Sequence, residues 1–375
     1  MSDGTSKRLI LAHDRFLFRG GGEHFALEFC RTFGADLLTG CIDESIWSPE
    51  ELREIHTVSL MRNFRKSGLR TLGYLLGFGL RARQVSKYDI AVYSGIHAPI
   101  AVLANAASRN ILYCHTPPRL IYDQAEHFSE KFRQSSPRPM FVEPAVLVAR
   151  RVYLATLRKF YERAVSRMDT IVANSFNIQR RIRKYLGIES QVVYPPCDII
   201  EYRWESQEDY YLSTARIESL KRVHLIAQAF RRLPHLKLII ASSGSDAPRV
   251  REIIDSAPNI HMTGWVDQET MQRLVGRCIA TIYIPVEEDF GISPVESMAA
   301  GKPVIGVAEG GLLETVIDGE TGVLLPSPAS VEGLIDAVER LDARRAKSMR
   351  GACRVRARLF SREVFRQRMQ KILVG

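Results

Sequence analysis

Residues 288–296, Glu-Asp-Phe-Gly-Ile-Ser-Pro-Val-Glu, lie between an apolar run at 278–285 and a small-residue segment at 294–300 that is closed by Gly301. The apolar run reads as a buried strand and the small-residue segment as a helix. Glu288 and Glu296 therefore bracket a strand-to-helix turn. At the carboxyl edge of a parallel sheet such a turn exposes backbone N–H groups and the positive end of a helix, which suits an anionic or hydroxyl-rich ligand. Glu288 is expected on the loop and Glu296 on the first turns of the helix, both facing one crevice. The plainer alternative is a loop carboxylate and a helix-capping carboxylate with no ligand at all.

A chain of 375 residues is long enough for two domains and too long for one small core. The sequence has no low-complexity tract and no repeat of fixed period. Cys30, Cys41, Cys114, Cys197, Cys278 and Cys353 lack CxxC spacing and sit mostly in apolar runs, the pattern of reduced core thiols in a cytosolic protein. The amino terminus is polar and leads into a strand, so no signal peptide is expected, and no apolar run approaches the roughly 20 residues that span a bilayer. Charge is uneven along the chain. Residues 1–195 carry 28 Lys and Arg against 18 Asp and Glu, whereas the remainder carries 24 of each. An anionic partner for the first half follows, and a membrane surface is the most economical one because no nucleic-acid recognition motif is present.

Taken in order, residues 7–12 predict a strand, followed by Gly20-Gly21-Gly22-Glu23 and a helical pattern through Phe25, Leu27, Phe29 and Cys30. Glycines at a helix start let a phosphate or sugar approach the backbone. Short strands are expected at 36–39 and 57–60. Residues 61–84 join a short apolar centre to Arg62, Arg65, Lys66, Arg70, Arg81 and Arg83. Such a helix can lie in an anionic headgroup region or serve as an ordinary domain helix with a solvated basic face. The strand at 110–114 delivers His115 onto a stiff Thr-Pro-Pro loop at the sheet's carboxyl edge. Residues 126–163, with a turn at 136–139, are rich in Arg, Phe and Tyr and read either as an acceptor-side excursion that adds to the basic surface or as a solvated helix face. Tyr194-Pro195-Pro196 closes the first domain. In the second, Arg216 and Lys221 flank a strand-to-helix loop and can converge on one diphosphate.

These motifs resemble the nucleotide-sugar-dependent, retaining glycosyltransferases of group 1 (family 4), whose signature is two glutamates eight apart with Phe-Gly between them. The resemblance implies the GT-B architecture: two Rossmann-like α/β domains facing a cleft, at 1–195 for the acceptor and 196–357 for the nucleotide sugar. A helix at 358–375 is expected to return to the first domain. It implies catalytic roles for Glu288, His115, Arg216 and Lys221. Donor contacts would come from Gly21, Gly22, Arg216, Lys221, Trp265, Val266, Asp289, Phe290, Gly291, Ile292 and Glu296. By the family's pattern no metal or other cofactor is required. Glu288-Asp289-Phe290-Gly291, together with Tyr194-Pro195-Pro196 and Lys221-Arg222, resembles the GDP-mannose-using branch. The run from Tyr113 to Arg119 resembles bacterial mannosyltransferases of O-antigen and exopolysaccharide synthesis.

The expected partners are thus a nucleotide sugar and a glycan or polyprenyl-pyrophosphate-linked saccharide. The expected location is cytoplasmic, peripheral on the inner membrane face. Two other readings compete. A nucleotide-sugar 2-epimerase shares the architecture but is expected to lack the Glu pair combined with the Arg/Lys loop. A silent basic scaffold of a polysaccharide assembly has no need of Arg216, Lys221, Glu288 and Glu296 together.

Overall fold

The computed structural model describes residues 7–61, 73–104, 106–125, 128–129 and 143–375. The basic residues Arg62, Arg65, Lys66 and Arg70 and the turn at 136–139 lie outside the described residues, as does the side chain of Arg81. The chain divides into two compact units, Met1–Val193 with Leu373–Gly375 and Tyr194–Ile372. The division falls immediately before the Tyr-Pro-Pro run.

The first unit is built on β1 (Leu9–His13), β2 (Asp36–Thr39), β3 (Thr57–Ser59), β4 (Ile90–Ser94), β5 (Arg109–Cys114), β6 (Thr170–Ala173) and β7 (Gln191–Val192). These pair in the order β3-β2-β1-β4-β5-β6-β7, and every pairing is parallel. β1 and β4 are buried along their whole length, as strands covered on both faces must be, and this accounts for their unbroken apolar runs. The order reverses direction between β1 and β4, whose last residues His13 and Ser94 are register partners. Crevices form at such switch points.

The second unit repeats the plan with β8 (Tyr210–Ser213), β9 (Lys237–Ile240), β10 (Ile260–Met262), β11 (Thr281–Tyr283), β12 (Val304–Val307) and β13 (Gly322–Leu325). Their order is β10-β9-β8-β11-β12-β13, again all parallel. Here the switch point lies between β8 and β11. Each unit has its own cluster of buried apolar side chains. All six cysteines are buried thiols, and no described helix is long and apolar enough to cross a membrane. The last helix, Arg362–Val374, ends in residues that group with the first unit, where the Arg109 guanidinium donates to the Leu373 carbonyl at 3.2 Å.

Candidate active site

In the second unit, the apolar run predicted at 278–285 is a strand only over Thr281–Tyr283. The helix predicted at 294–300 starts earlier, at Ile292. The turn between them is held from two sides. The Val286 N–H donates to the Leu220 carbonyl at 2.7 Å, tying the loop after β8 to the loop after β11, and the Gly311 N–H donates to the Glu288 carbonyl at 2.7 Å. A Cβ at Gly311 would stand 2.5 Å from the Phe290 Cα, so only glycine allows that close approach. Phe290 is buried and packs against Tyr194 and Phe360 with centroids 5.4 Å away in each case. Gly291 takes φ +96, and no side chain caps the helix Ile292–Ala299 that it opens. The first-turn N–H groups there are oriented for an anionic acceptor.

The two switch-point loops meet in a closed triangle. The Lys221 ammonium donates to Glu288 Oε2 at 2.6 Å and to the Tyr283 hydroxyl at 2.9 Å, and that hydroxyl donates to the same Oε2 at 3.0 Å. Lys221 and Glu288 keep about a fifth of their side-chain surface exposed. Burial works against the Lys221 charge, but Tyr283 and Glu288 outweigh it and hold the ammonium above the ordinary lysine range. Beside the triangle, Arg222, at φ 53, pairs with Glu309 at 2.5 Å, and Glu309 accepts from the Ser327 hydroxyl at 2.7 Å.

The exposed Arg216 guanidinium lies 3.5 Å from Glu218, while Lys221 is engaged by Glu288, so each cation is paired with a carboxylate of its own. Each is drawn to the nearest carboxylate, and Glu218 is only two residues from Arg216. Glu296 is half-buried on its helix, as predicted, and receives a hydrogen bond from Tyr202. Burial, with the Asp198 carboxylate nearby, pushes its carboxyl up to about 7, the Tyr202 bond acting the other way. Trp265 and Val266 follow the edge strand β10, where Trp265 is exposed. Asp289 and Ile292 are half-buried at the turn.

In the first unit the glycine loop is part of the helix rather than a lead-in. Gly20 is the cap and Gly21–Phe33 the helix. Gly22 faces two imidazoles, since a Cβ there would lie 3.4 Å from His13 and 4.0 Å from His115. Ser94, at the end of β4, joins them, its Oγ 3.1 Å from His13 Nδ1 and 2.8 Å from His115 Nε2. Burial depresses His13 to about 4 and His115 to about 3. Both rings are neutral near pH 7 and share one hydroxyl. Phe25 packs edge-on against His115 at 4.9 Å.

Next to them, the Asp14 carboxylate accepts the backbone N–H groups of Ile96, His97 and Ala98, each at 2.8 Å. His97 Nε2 lies 2.8 Å from the Tyr153 hydroxyl. Burial would raise Asp14, but the bonds from His97 and the backbone amides hold it below the usual carboxylate range. Glu23 is buried at the first turn of its helix, and burial pushes it up to about 7.

Sequence reasoning passed over Tyr283, His13, Ser94, Asp14, His97 and Tyr202. The first three close strands at the carboxyl edge, the same signal that singled out His115, and could have been found by it.

Residues 198–358 match the family described as Glycosyl transferases group 1. The alpha-1,3/1,6-mannosyltransferase ALG2 of Dictyostelium discoideum is 26% identical over 287 residues, covering 64% of this chain and 63% of that protein, a little under two thirds of its length. ALG2 of Rhizomucor pusillus is 25% identical over 76% of this chain and 71% of its own. Among solved structures, Anabaena HepE in complex with UDP superposes with a TM-score of 0.76 at 16% identity, covering 98% of this chain and 99% of that one.

Proposed function

We propose that this chain, whose residues 198–358 match the group 1 glycosyl transferases, moves a mannosyl group from GDP-mannose, with retention of configuration, onto a glycan or polyprenyl-pyrophosphate-linked saccharide in cell-surface polysaccharide synthesis. The observation that carries the reading is the Lys221–Tyr283–Glu288 triangle at the switch point of the second sheet, beside a helix amino end that no side chain caps.

Breaking the bond between the anomeric carbon and the diphosphate places negative charge on the leaving group. In this proposal Lys221 and Arg216 stabilise it together with the N–H groups at the start of Ile292–Ala299. Glu288 holds donor hydroxyls beneath the anomeric centre and Glu296 accepts from ribose hydroxyls, a role that its ionised form fills best. His115, neutral near pH 7, contributes a hydrogen bond to the sugar. The acceptor oxygen attacks from the face that the diphosphate leaves, and a phosphate oxygen takes its proton. No metal is assigned a part in these steps.

Mannose as the donor sugar rests on the Glu288-Asp289-Phe290-Gly291 variant of the motif and on the mannosyltransferase activity of the two ALG2 relatives. Contact with an anionic membrane through the basic first 195 residues would bring a lipid-linked acceptor within reach. Pelleting with anionic vesicles that is unchanged by neutralising Arg65, Lys66, Arg70, Arg81 and Arg83 would remove that contact.

Thermal stabilisation by GDP, UDP, ADP, GDP-mannose, UDP-glucose and UDP-N-acetylglucosamine tests the donor. A shift with GDP and GDP-mannose that disappears in Lys221→Ala is expected. A shift with uridine nucleotides alone would keep the transferase and overturn mannose.

A further inference from the structure

The second unit contains a cavity of about 400 Å³ lined by Arg203, Arg350, Arg354, Arg358, Trp204 and Ile200, among others. Ala299 also lines it, which places the cavity at the carboxyl end of the helix Ile292–Ala299, about 10 Å along the axis from the amino end beside Glu288. Tyr202, which donates to Glu296, lines it as well, so the cavity borders the proposed donor site without including Lys221 or Glu288.

Three of its arginines stand at i, i+4 and i+8 on the helix Arg350–Arg358, so their side chains form one stripe with successive Cα atoms about 6 Å apart. Cys353 and Ala357 bury the inner face of that helix. Among the described residues none of the four arginines has a carboxylate within ion-pair distance. Arg350 instead lies 4.2 Å over the Trp204 ring, and Lys302 stands 5.0 Å from the same ring. Arg203 donates only to the Ile200 carbonyl, at 3.1 Å. Uncompensated guanidinium groups held this close repel one another, and a phosphate with paired acceptor oxygens relieves the repulsion.

The rim identifies the kind of phosphate. Val355 and Leu359 form a second stripe, one step around the helix from Arg354 and Arg358. They are 64% and 49% exposed, and Ile200 is 68% exposed. A soluble phosphate has no use for three exposed aliphatic side chains, whereas a basic stripe beside an apolar one is what an anionic bilayer surface accepts. We propose that this face of the second unit docks on a membrane, with the phosphate of an anionic lipid headgroup seated among Arg203, Arg350, Arg354 and Arg358 and with Ile200, Val355 and Leu359 entering the acyl boundary. The proposal stands independently of the donor and acceptor readings.

The test is binding of the full chain to phosphatidylcholine vesicles with and without phosphatidylglycerol, beside thermal melting with glycerol 3-phosphate. Wild type is expected to bind only the phosphatidylglycerol vesicles. Arg203→Gln/Arg354→Gln/Arg358→Gln should weaken that binding roughly a hundredfold for three surface cations, with a melting temperature no lower than that of wild type. Val355→Ser/Leu359→Ser should also weaken it, leaving what remains more sensitive to salt. Wild-type vesicle binding by the triple variant would overturn the proposal. So would loss of glycerol 3-phosphate stabilisation with vesicle binding intact, because the cavity would then serve a soluble phosphate. Neither result touches the nucleotide response.

Discussion

The Lys221 ammonium and the Glu288 carboxylate, 67 residues apart in the chain, lie 2.6 Å from each other with Tyr283 bonded to both. In the proposed reaction one of these charges serves the diphosphate and the other the sugar. Their pairing fixes both side chains in place and spares either the cost of standing alone half-buried. Lys221→Ala should lower folding stability by about 1–3 kcal/mol, since the carboxylate loses its cation, and should abolish stabilisation by GDP. Glu288→Gln should retain that stabilisation and lose sugar transfer. Calorimetry with nucleotide and a transfer assay separate the two, and equal behaviour of both variants would contradict the division of roles.

Tyr283→Phe keeps the ring and removes only the shared hydroxyl. A loss of about 1 kcal/mol is expected from one hydrogen-bonding group. Transfer should slow through kcat with little change in donor KM, because the lysine and glutamate remain while their alignment loosens. A raised KM at constant kcat would make Tyr283 a donor contact instead.

Glu296 has its carboxyl pushed up to about 7, first by burial. The folded state therefore holds this proton more tightly than the unfolded chain does. The associated stability is fully present below about pH 4.5 and is lost as the pH rises to about 7. Glu296→Gln should accordingly match wild type near pH 5 and exceed it by about 1–2 kcal/mol at pH 8. Denaturant melts at the two pH values check this. The same substitution should weaken nucleotide binding at pH 8, where the carboxylate is the better acceptor.

His13 shifts the opposite way, depressed to about 4 by burial. Its contribution is present above about pH 6.5 and is lost as the pH falls toward 4. His13→Asn should flatten that part of the acid limb by about 1–3 kcal/mol. Ser94→Ala, which uncouples the two imidazoles, should alter the pH dependence of transfer more than donor affinity.

Gly311→Ala would place a Cβ 2.5 Å from the Phe290 Cα, against backbone that cannot swing aside. A destabilisation of about 2–4 kcal/mol is expected from such overpacking, together with loss of transfer through displacement of Glu288. Gly319→Ala, with nothing within 4 Å of the added Cβ but a φ of +79, should cost only the backbone term, about 1 kcal/mol. Comparing the two by denaturant melts isolates the steric effect.

Two strand-and-helix series, their parallel character and the glutamate turn were legible in the sequence because they depend on local properties: apolar runs of strand length, glycine and proline at chain reversals, and residue types suited to helix starts. Short or weakly patterned elements were not. β7 spans only Gln191–Val192, and the helices Ala247–Ile254 and Gln268–Arg277 are short, their starts marked only by Pro248 in one first turn and by the Asp267 cap of the other. Nor does proximity along the chain say which carboxylate a flexible guanidinium reaches, as Arg216 beside Glu218 illustrates.

Sequence alone established that His115, Lys221 and Glu288 sit at carboxyl ends of strands. Only the tertiary structure decided which of those ends are neighbours. The order β3-β2-β1-β4 puts His13 against Ser94, 81 positions away, and brings His115 to the same hydroxyl. The order β9-β8-β11 sets the loop of Lys221 against that of Glu288. Strand adjacency follows from how apolar faces from distant segments share one core, a collective property that no single stretch of sequence carries.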